Sequence, residues 1–513
     1  MEQSAGCRRS GVLNGEKQDR GPDFSCPGTP FLHFPKNLRQ HCTMTDSSDP
    51  LHPGAKPEHV RAMTEGISLL TGDPKTAIRK LSLPMIAAML CMSVYNLINA
   101  IWVAGLGADA LAAVGFMTPV FMVFIGLGNG LGAGVSSVVA RRIGGRNRQG
   151  AESAAMHGLL MGAAIAVIVT IPLVLFTEPI AVLLGAGSVV PLAAEYGRIL
   201  FIGTIFILFN NIAYAILRGE GDTKRTMYAM VFSSILNAVL DPILIYWAGL
   251  GIAGAAVATV ISIVSVTLII MYWFLVRKDT YLSITMKGFT PDRSITHDIL
   301  GVGLPASVEY LLMSTLSIII NAILVMVAGT DAVAVYTSGW RLLMFAVIPD
   351  IAIATTLISV IGAAYGARKY QNLSLAYGYA IRLGIIIAAV MAVLIFVFAG
   401  QVALLFTYSE STAYLTPRIA SFLRVISVLL IFMPAGMMSL SVFQGTGRGF
   451  TSLVINLLRG LAFVAVFVIL FGIVLGYGEI GVWIGIVLGN ILGTAVAYTW
   501  AGMYIRRIRA LEE

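Results

Sequence analysis

The stretch NAVLDPILIYWAGLGIAGAAVAT, residues 237–259, decides the class of fold. It is an apolar run with one carboxylate, Asp241, then a glycine-rich break, Gly249-x-Gly251-x-x-Gly254, then a second apolar run. A charge at the centre of a bilayer costs at least about 2.5–3.5 kcal/mol, so charges there usually mark a pathway or a coupling site. Asn237 precedes Asp241 by four residues, and a helix stacks the two on one face. Pro242 has no N–H to give to the carbonyl of Ala238. A carboxylate, an amide and a freed carbonyl within one turn make a candidate cation site. The structural alternative is a helix kink with an internally satisfied Asp.

Similar apolar runs of roughly 20 residues recur between about residues 82 and 505, each long enough to cross a bilayer. Of the 513 residues, 57% are hydrophobic and 12% charged, and the mean hydropathy is +0.85. Soluble domains carry about 25% charged residues. The runs are continuous and do not alternate, which predicts helices and excludes strands. The chain is therefore expected to be an all-α polytopic membrane protein.

The formal net charge is +8, but its placement tells more than its size. Lys and Arg fall in alternate connections: Arg141, Arg142, Arg146, Arg148; Arg218, Lys224, Arg225; Arg277, Lys278, Lys287, Arg293; Arg368, Lys369; Arg448; and Arg506, Arg507, Arg509. The turns at 105–109, 247–254, 329–331 and 476–481 hold none. Basic short loops face the cytoplasm, so both termini are expected there, with an even number of spans, about twelve, in the cell (inner or plasma) membrane. Arg418 and Arg424, in the turn after Phe406, depart from this pattern. No nucleic-acid partner is expected.

Residues 1–64 are polar and rich in Pro, Gly and Ser, which predicts a disordered cytoplasmic tail; Met44 and Met63 are alternative starts. Cys7, Cys26 and Cys42, with His33 and His41, match no zinc spacing. Residues 65–79 read as an amphipathic lead-in. The remainder is a duplication. A shift of 222 residues pairs Asn99 with Asn321, Asp109 with Asp331, Ser137 with Ser359, Gly144 with Gly366, Arg146 with Arg368 and Gln149 with Gln371. With small indels, Gly221 pairs with Gly447, and the 249–254 glycines pair with Gly476, Gly478 and Gly481. Each half holds about six spans. An even number per half gives both halves the same orientation, related by an axis along the membrane normal. The expected lobes are 65–285 and 286–513.

Asn99 (first span), Asn237 and Asp241 (fifth) and Thr259 (sixth) are the polar groups expected to meet. Hard cations such as Na+ prefer oxygen donors, and a desolvated carboxylate takes up protons more readily. Interhelical hydrogen bonding is the structural alternative for Asn99 and Thr259. The second half does not repeat the set: Phe467 and Ile486 stand near the positions of Asp241 and Thr259. It carries Glu309 in the seventh span and Arg341 and Asp350 in the eighth, a second proton or substrate site or an ion pair. Gly126-xxx-Gly130-xxx-Gly134 predicts a close helix-packing face. GEGDTKR (219–225) lacks the spacing of a phosphate loop and reads as a turn with Asp222 or Thr223 opening the next helix. With no ATPase signature, the energy source is an ion gradient or the substrate itself. Met117, Met122, Met313, Met433, Met437 and Met438, with Trp340 and Tyr310, would suit an adaptable cavity; most are read as filler.

These motifs resemble the multidrug and toxin extrusion (MATE) family. The resemblance rests on YNLINAIWVAGLGADALAAVG (95–115), GAGVSSVVARRIGGRN (132–147), LRGEGDTK (217–224) and, most specifically, 237–259, and it covers about residues 66–505. It implies twelve helices in two pseudo-symmetric six-helix lobes around a V-shaped cavity. It implies export of cationic or amphipathic drugs in exchange for Na+ or H+. In bacterial and archaeal members the amino-terminal cation site uses residues matching Asn237, Asp241 and Thr259, which looks like the DinF-type branch. Asn99 stands where the family usually has an acid; it offers an oxygen to Na+ but cannot take a proton.

The expected function is thus a secondary multidrug antiporter, acting as a monomer among membrane lipids, with no cofactor beyond the coupling ion. The alternative is a lipid-linked saccharide flippase of the same superfamily; such proteins tend to have extra spans and cationic cavities, and Arg341 as the main candidate for intramembrane positive charge argues against a polyanionic headgroup. An enzyme is not expected, because His157 and His297 stand isolated and no catalytic cluster is visible.

Overall fold

The computed structural model describes residues 64–286, 289–404, 407 and 413–510. Apart from Thr64, the tail expected at 1–64, with its Cys and His residues, lies outside the described residues, as does Lys287. A short helix α1 (Glu65–Thr71) precedes α2 (Pro74–Ala104), α3 (Ala108–Gly144), α4 (Arg148–Leu175), α5 (Thr177–Leu183), α6 (Val190–Gly219), α7 (Thr223–Pro242) and α8 (Gly251–Met271). The second half runs α9 (Arg293–Ala328), α10 (Thr330–Gly366), α11 (Tyr370–Val397), α12 (Ala399–Leu404), α13 (Thr416–Gly445), α14 (Gly449–Asn456), α15 (Val464–Ile469) and α16 (Gly478–Arg509). No strand occurs among the described residues. Among the described residues, twelve helical segments are long and apolar enough to cross a membrane. Wide π-helical turns extend α7 (Ile243–Trp247) and α8 (Tyr272–Arg277) and join α14 to α15 (Leu457–Phe463).

The expected lead-in over 65–79 is broken. Gly72 ends α1, and Asp73 caps α2 by accepting from the Thr76 amide at 2.9 Å, with Pro74 in the first turn. Asp–Pro is a strong helix start, because the side chain satisfies an orphan amide and Pro needs none. Asp222 opens α7 in the same way, accepting from the Arg225 amide at 3.1 Å, as the 219–225 turn predicts.

The duplication is visible in the backbone. Arg146 and Arg368 both sit in the left-handed region, at φ 56° and 57°. The helices meet in matching pairs: α2 packs on α10, and α3 packs on α9. Gly126, Gly130 and Gly134 face Tyr310, Ser307 and Gly303 of α9, so the small-residue stripe is a packing face. These contacts gather at the basic end of the bundle. Ser136 and Ser359 hydrogen-bond at 2.9 Å, and Ser137 donates to the Gln444 carbonyl at 2.6 Å. Toward the other end burial lapses: α2 has no buried residue between Ala88 and Val103, nor α9 between Ser307 and Ile320. The two pseudo-symmetric halves are closed on each other at the basic end, and α2 and α9 are unburied above it.

In the link between the halves, Leu282, Ser283 and Asp292 are held down along that basic end. Glu152 accepts from the Ser283 amide at 2.9 Å, Glu220 from the Leu282 amide at 3.1 Å, and His157 Nε2 from the Asp292 amide at 2.8 Å. His157 thus has a structural place rather than an isolated one. Arg418, the basic residue out of pattern, is paired with Glu479 and lies 3.6 Å from Asp331, which neutralises its charge on the opposite face.

Candidate functional site

Asp241 is 0% exposed and Asn237 2% exposed, both on the last turns of α7. The break after Asp241 is a physical consequence of Pro242. Pro242 cannot bond to Ala238, the Ile243 amide turns to the Leu240 carbonyl, and the chain widens into the π-helical Ile243–Trp247. Such widenings recur at functional sites. Gly254 of α8 lets this irregular stretch come close, since a Cβ there would lie 2.6 Å from the Leu244 carbonyl. Tyr246 fixes its far end by donating to the Trp102 carbonyl at 2.7 Å.

Around Asp241 the expected residues converge. Asn99 Nδ2 donates to Asp241 Oδ2 at 2.8 Å. Asn237 satisfies its neighbours in one amide orientation: its nitrogen donates to both Asp241 oxygens at 3.0 Å, and its oxygen lies 3.1 Å from Thr259 Oγ1 and 3.3 Å from the Tyr95 hydroxyl. The Thr259 hydroxyl is also 3.0 Å from the Ala255 carbonyl. Asn99, Asn237, Asp241 and Thr259 are therefore one cluster across α2, α7 and α8. Tyr95 completes it and was not foreseen. The signal was its place four residues before Asn99, on the same face of α2.

All of the donors to Asp241 are neutral. Among the described residues no Lys, Arg or His pairs with it. A buried carboxylate whose charge has no protein partner is costly, and its balance must come from a cation or a proton. Carboxylate, amide and hydroxyl oxygens are the donor set of a hard cation. As the amides are turned, they solvate a bare carboxylate; to ligate Na+, Asn99 and Asn237 would present oxygen instead.

The second half is built differently. Glu309 accepts from Ser452 Oγ at 2.8 Å and from Gln444 Nε2 at 3.3 Å. Asp350 is 0% exposed, and neither of its oxygens has a hydrogen-bond partner. Arg341 is exposed. The structure does not bring these three together, and the ion pair entertained for them does not form among the described residues. Among the described residues a buried intramembrane cation is supplied by Arg459, 6% exposed and 3.4 Å from Asn456 Oδ1. Asn321, the counterpart of Asn99, has an unpartnered oxygen, and Phe467, near the position matching Asp241, is stacked on Phe471.

A fold of twelve spans in two equivalent halves, with a buried oxygen-rich cluster in one, defines a membrane transporter. The MatE family model matches residues 84–243 and 305–477, and the chain belongs to that family, the MATE transporters. It is 26% identical over 396 residues to the multidrug export protein MepA of Staphylococcus aureus, across 77% of this chain and 86% of that one. A crystal structure of MATE in complex with MaL6 matches with a TM-score of 0.85 and 45% identity, over 87% of this chain and 100% of that one. A MOP superfamily transporter from Pyrococcus furiosus, described by the reverse polarity of its binding pocket, matches with a TM-score of 0.85 and 45% identity, over 87% and 99%.

Proposed function

We propose that this protein is a secondary multidrug antiporter that expels cationic or amphipathic compounds against an inward flow of Na+ or H+, with Asp241 as the coupling residue. The observation that carries the reading is the buried Asp241 carboxylate with amide donors and no protein cation. Na+ or a proton on Asp241 removes its charge, and the Asn99 and Asn237 amides re-orient to suit. The ion shifts the conformational balance because it binds one state better than the other; here the basic ends are closed. The basic face is taken as cytoplasmic from the placement of Arg and Lys, and the lobes are divided at 285/286. Export of several drugs, as named for the staphylococcal relative, fits a cleft that recognises shape and apolar area.

The test is dye efflux from proteoliposomes under imposed Na+ or pH gradients, with wild type beside Asp241→Asn. The variant should insert and fold but lose gradient-driven efflux; undiminished efflux would overturn the coupling role. A second reading, a lipid-linked saccharide flippase, is favoured by one observation, the buried Arg459, which supplies the inner cation that the exposed Arg341 does not. Headgroup-dependent flipping without an ion gradient would support it.

A further inference from the structure

Asp350 lies inside the carboxyl-terminal half, on α10, and has no place in the Asp241 cluster. It is fully buried, and both of its carboxylate oxygens are unpartnered. Buried polar groups are nearly always hydrogen-bonded, so each exception needs an explanation. What faces it is apolar: a Cβ on Gly384 of α11 would lie 3.1 Å from Asp350 Oδ1 and 2.8 Å from Pro434 Cβ of α13. Neither neighbour offers a donor.

On α3, which also packs on α10, the Arg141 guanidinium lies against Gly447 at the basic end, and the following groups of the other packed helices are engaged elsewhere or turned away. Arg341 of α10, Arg382 of α11 and Arg424 of α13 are exposed. Tyr377 of α11 is bonded to Ser439, Arg418 of α13 to Glu479, Glu309 of α9 to Ser452, and Tyr95 of α2 lies by Asn237. Cys91 of α2 is half-buried. Among the described residues none of these groups pairs with Asp350. An ionised carboxylate in such a place would carry the full cost of desolvation. A metal ion is no remedy, since one carboxylate among carbon atoms is too few ligands. A proton is sufficient.

We propose that Asp350 is a second coupling group, specific for the proton, seated in the carboxyl-terminal half and loaded and discharged once per transport cycle. In the present state it is sealed and holds its proton. When α10, α11 and α13 shift and water enters, the O–H bond breaks to water on one side; it re-forms from hydronium after the halves have moved. The proposal deepens the antiport reading and rests on it for the cycle, though the protonated state itself does not.

The test is infrared spectroscopy of the purified full-length protein, with proton and dye counts in proteoliposomes. At neutral pH the wild type should show the C=O stretch of a protonated carboxylic acid in apolar surroundings. Asp350→Asn, which keeps shape and neutrality, should lose that band; Asp241→Asn should keep it, and Na+ should not alter it. Asp350→Asn should also move one proton fewer per dye. Gly384→Ala, which leaves Asp350 in place but presses a methyl on Oδ1, should shift the band without abolishing it. An unchanged band in Asp350→Asn, or a lost band with an unchanged proton count, overturns the proposal. Retained coupling in Asp241→Asn with the Asp350 results intact would sink the Asp241 reading alone.

Discussion

Asn99 of the first span donates to Asp241 of the fifth over 2.8 Å, so an amide rather than an acid stands beside the buried carboxylate. A neutral donor lets Asp241 ionise in place, whereas a second carboxylate at that distance could not ionise with it. We predict that Asn99→Asp makes the two acids share a proton. The pH midpoint of dye efflux should then move up by about one unit or more. Asn99→Ala should move the midpoint in the same direction, because it withdraws from the buried charge a bond worth about 1–3 kcal/mol. An Asn99→Asp profile that superimposes on wild type would show that the contact does not govern proton affinity.

Tyr95 reaches the site only through Asn237, 3.3 Å from the amide oxygen. Tyr95→Phe keeps the ring packed and removes one hydrogen bond, worth about 1 kcal/mol. The expected result is a roughly five-fold rise in the ion concentration giving half-maximal efflux, with an unchanged melting temperature. An unchanged ion requirement would make Tyr95 a packing residue only.

The cluster was legible to the extent that each member breaks a local rule. Asp241 is a charge in an apolar run, Asn237 stands one turn before it, and Thr259 and Asn99 are polar interruptions of other runs. Tyr95 breaks no rule, because an aromatic residue is at home in a membrane helix, and only its register with Asn99 marks it. Arg459 breaks the same rule as Asp241, and giving the inner cation to Arg341 passed over it. Burial separates Arg341, exposed on α10, from Arg459, buried in the π-helical Leu457–Phe463, and burial depends on neighbours far away in sequence. Span number and duplication were readable from length and the 222-residue period. The halves' mutual closure was not, since contacts such as Ser136 with Ser359 join chain segments that no local pattern connects.

That closure rests on a reciprocal contact. A Cβ on Gly144 would fall on the Ala363 carbonyl, and one on Gly366 would fall on the Arg141 carbonyl; the two pairs are related by the 222-residue shift. Because backbone is the obstacle, a methyl there cannot be absorbed by a rotamer, and overpacking costs about 1–3 kcal/mol. Gly144→Ala or Gly366→Ala should therefore open the basic end, shifting the population about tenfold per 1.4 kcal/mol. Ser359, buried in the closed state, is the reporter: Ser359→Cys, with the native cysteines replaced, should become reactive to a polar thiol reagent only when the glycine is changed. Equal reactivity with and without the glycine would mean that the contact is not the gate.

Glu220 follows α6 at the same end and holds the link between the halves through the Leu282 amide, 3.1 Å away. It is 1% exposed, and burial pushes its carboxyl up from 4.5 to about 8, against the smaller lowering by the Leu282 amide and Arg225. An acid whose value is raised by folding binds its proton more tightly in the ordered state, so the ordered state weakens as pH rises. Its contribution is complete below about 4.5 and is lost as pH climbs through about 8. The Leu282 amide should accordingly exchange with deuterium faster at pH 9 than at pH 6, beyond the intrinsic change in exchange rate. Glu220→Gln, uncharged at any pH, should flatten that excess while the bond persists. Should wild type and Glu220→Gln show the same pH dependence at Leu282, the titrating group controlling the link lies elsewhere, and Asp222 and Asp279, both ion-paired with Arg225, become the residues to replace next.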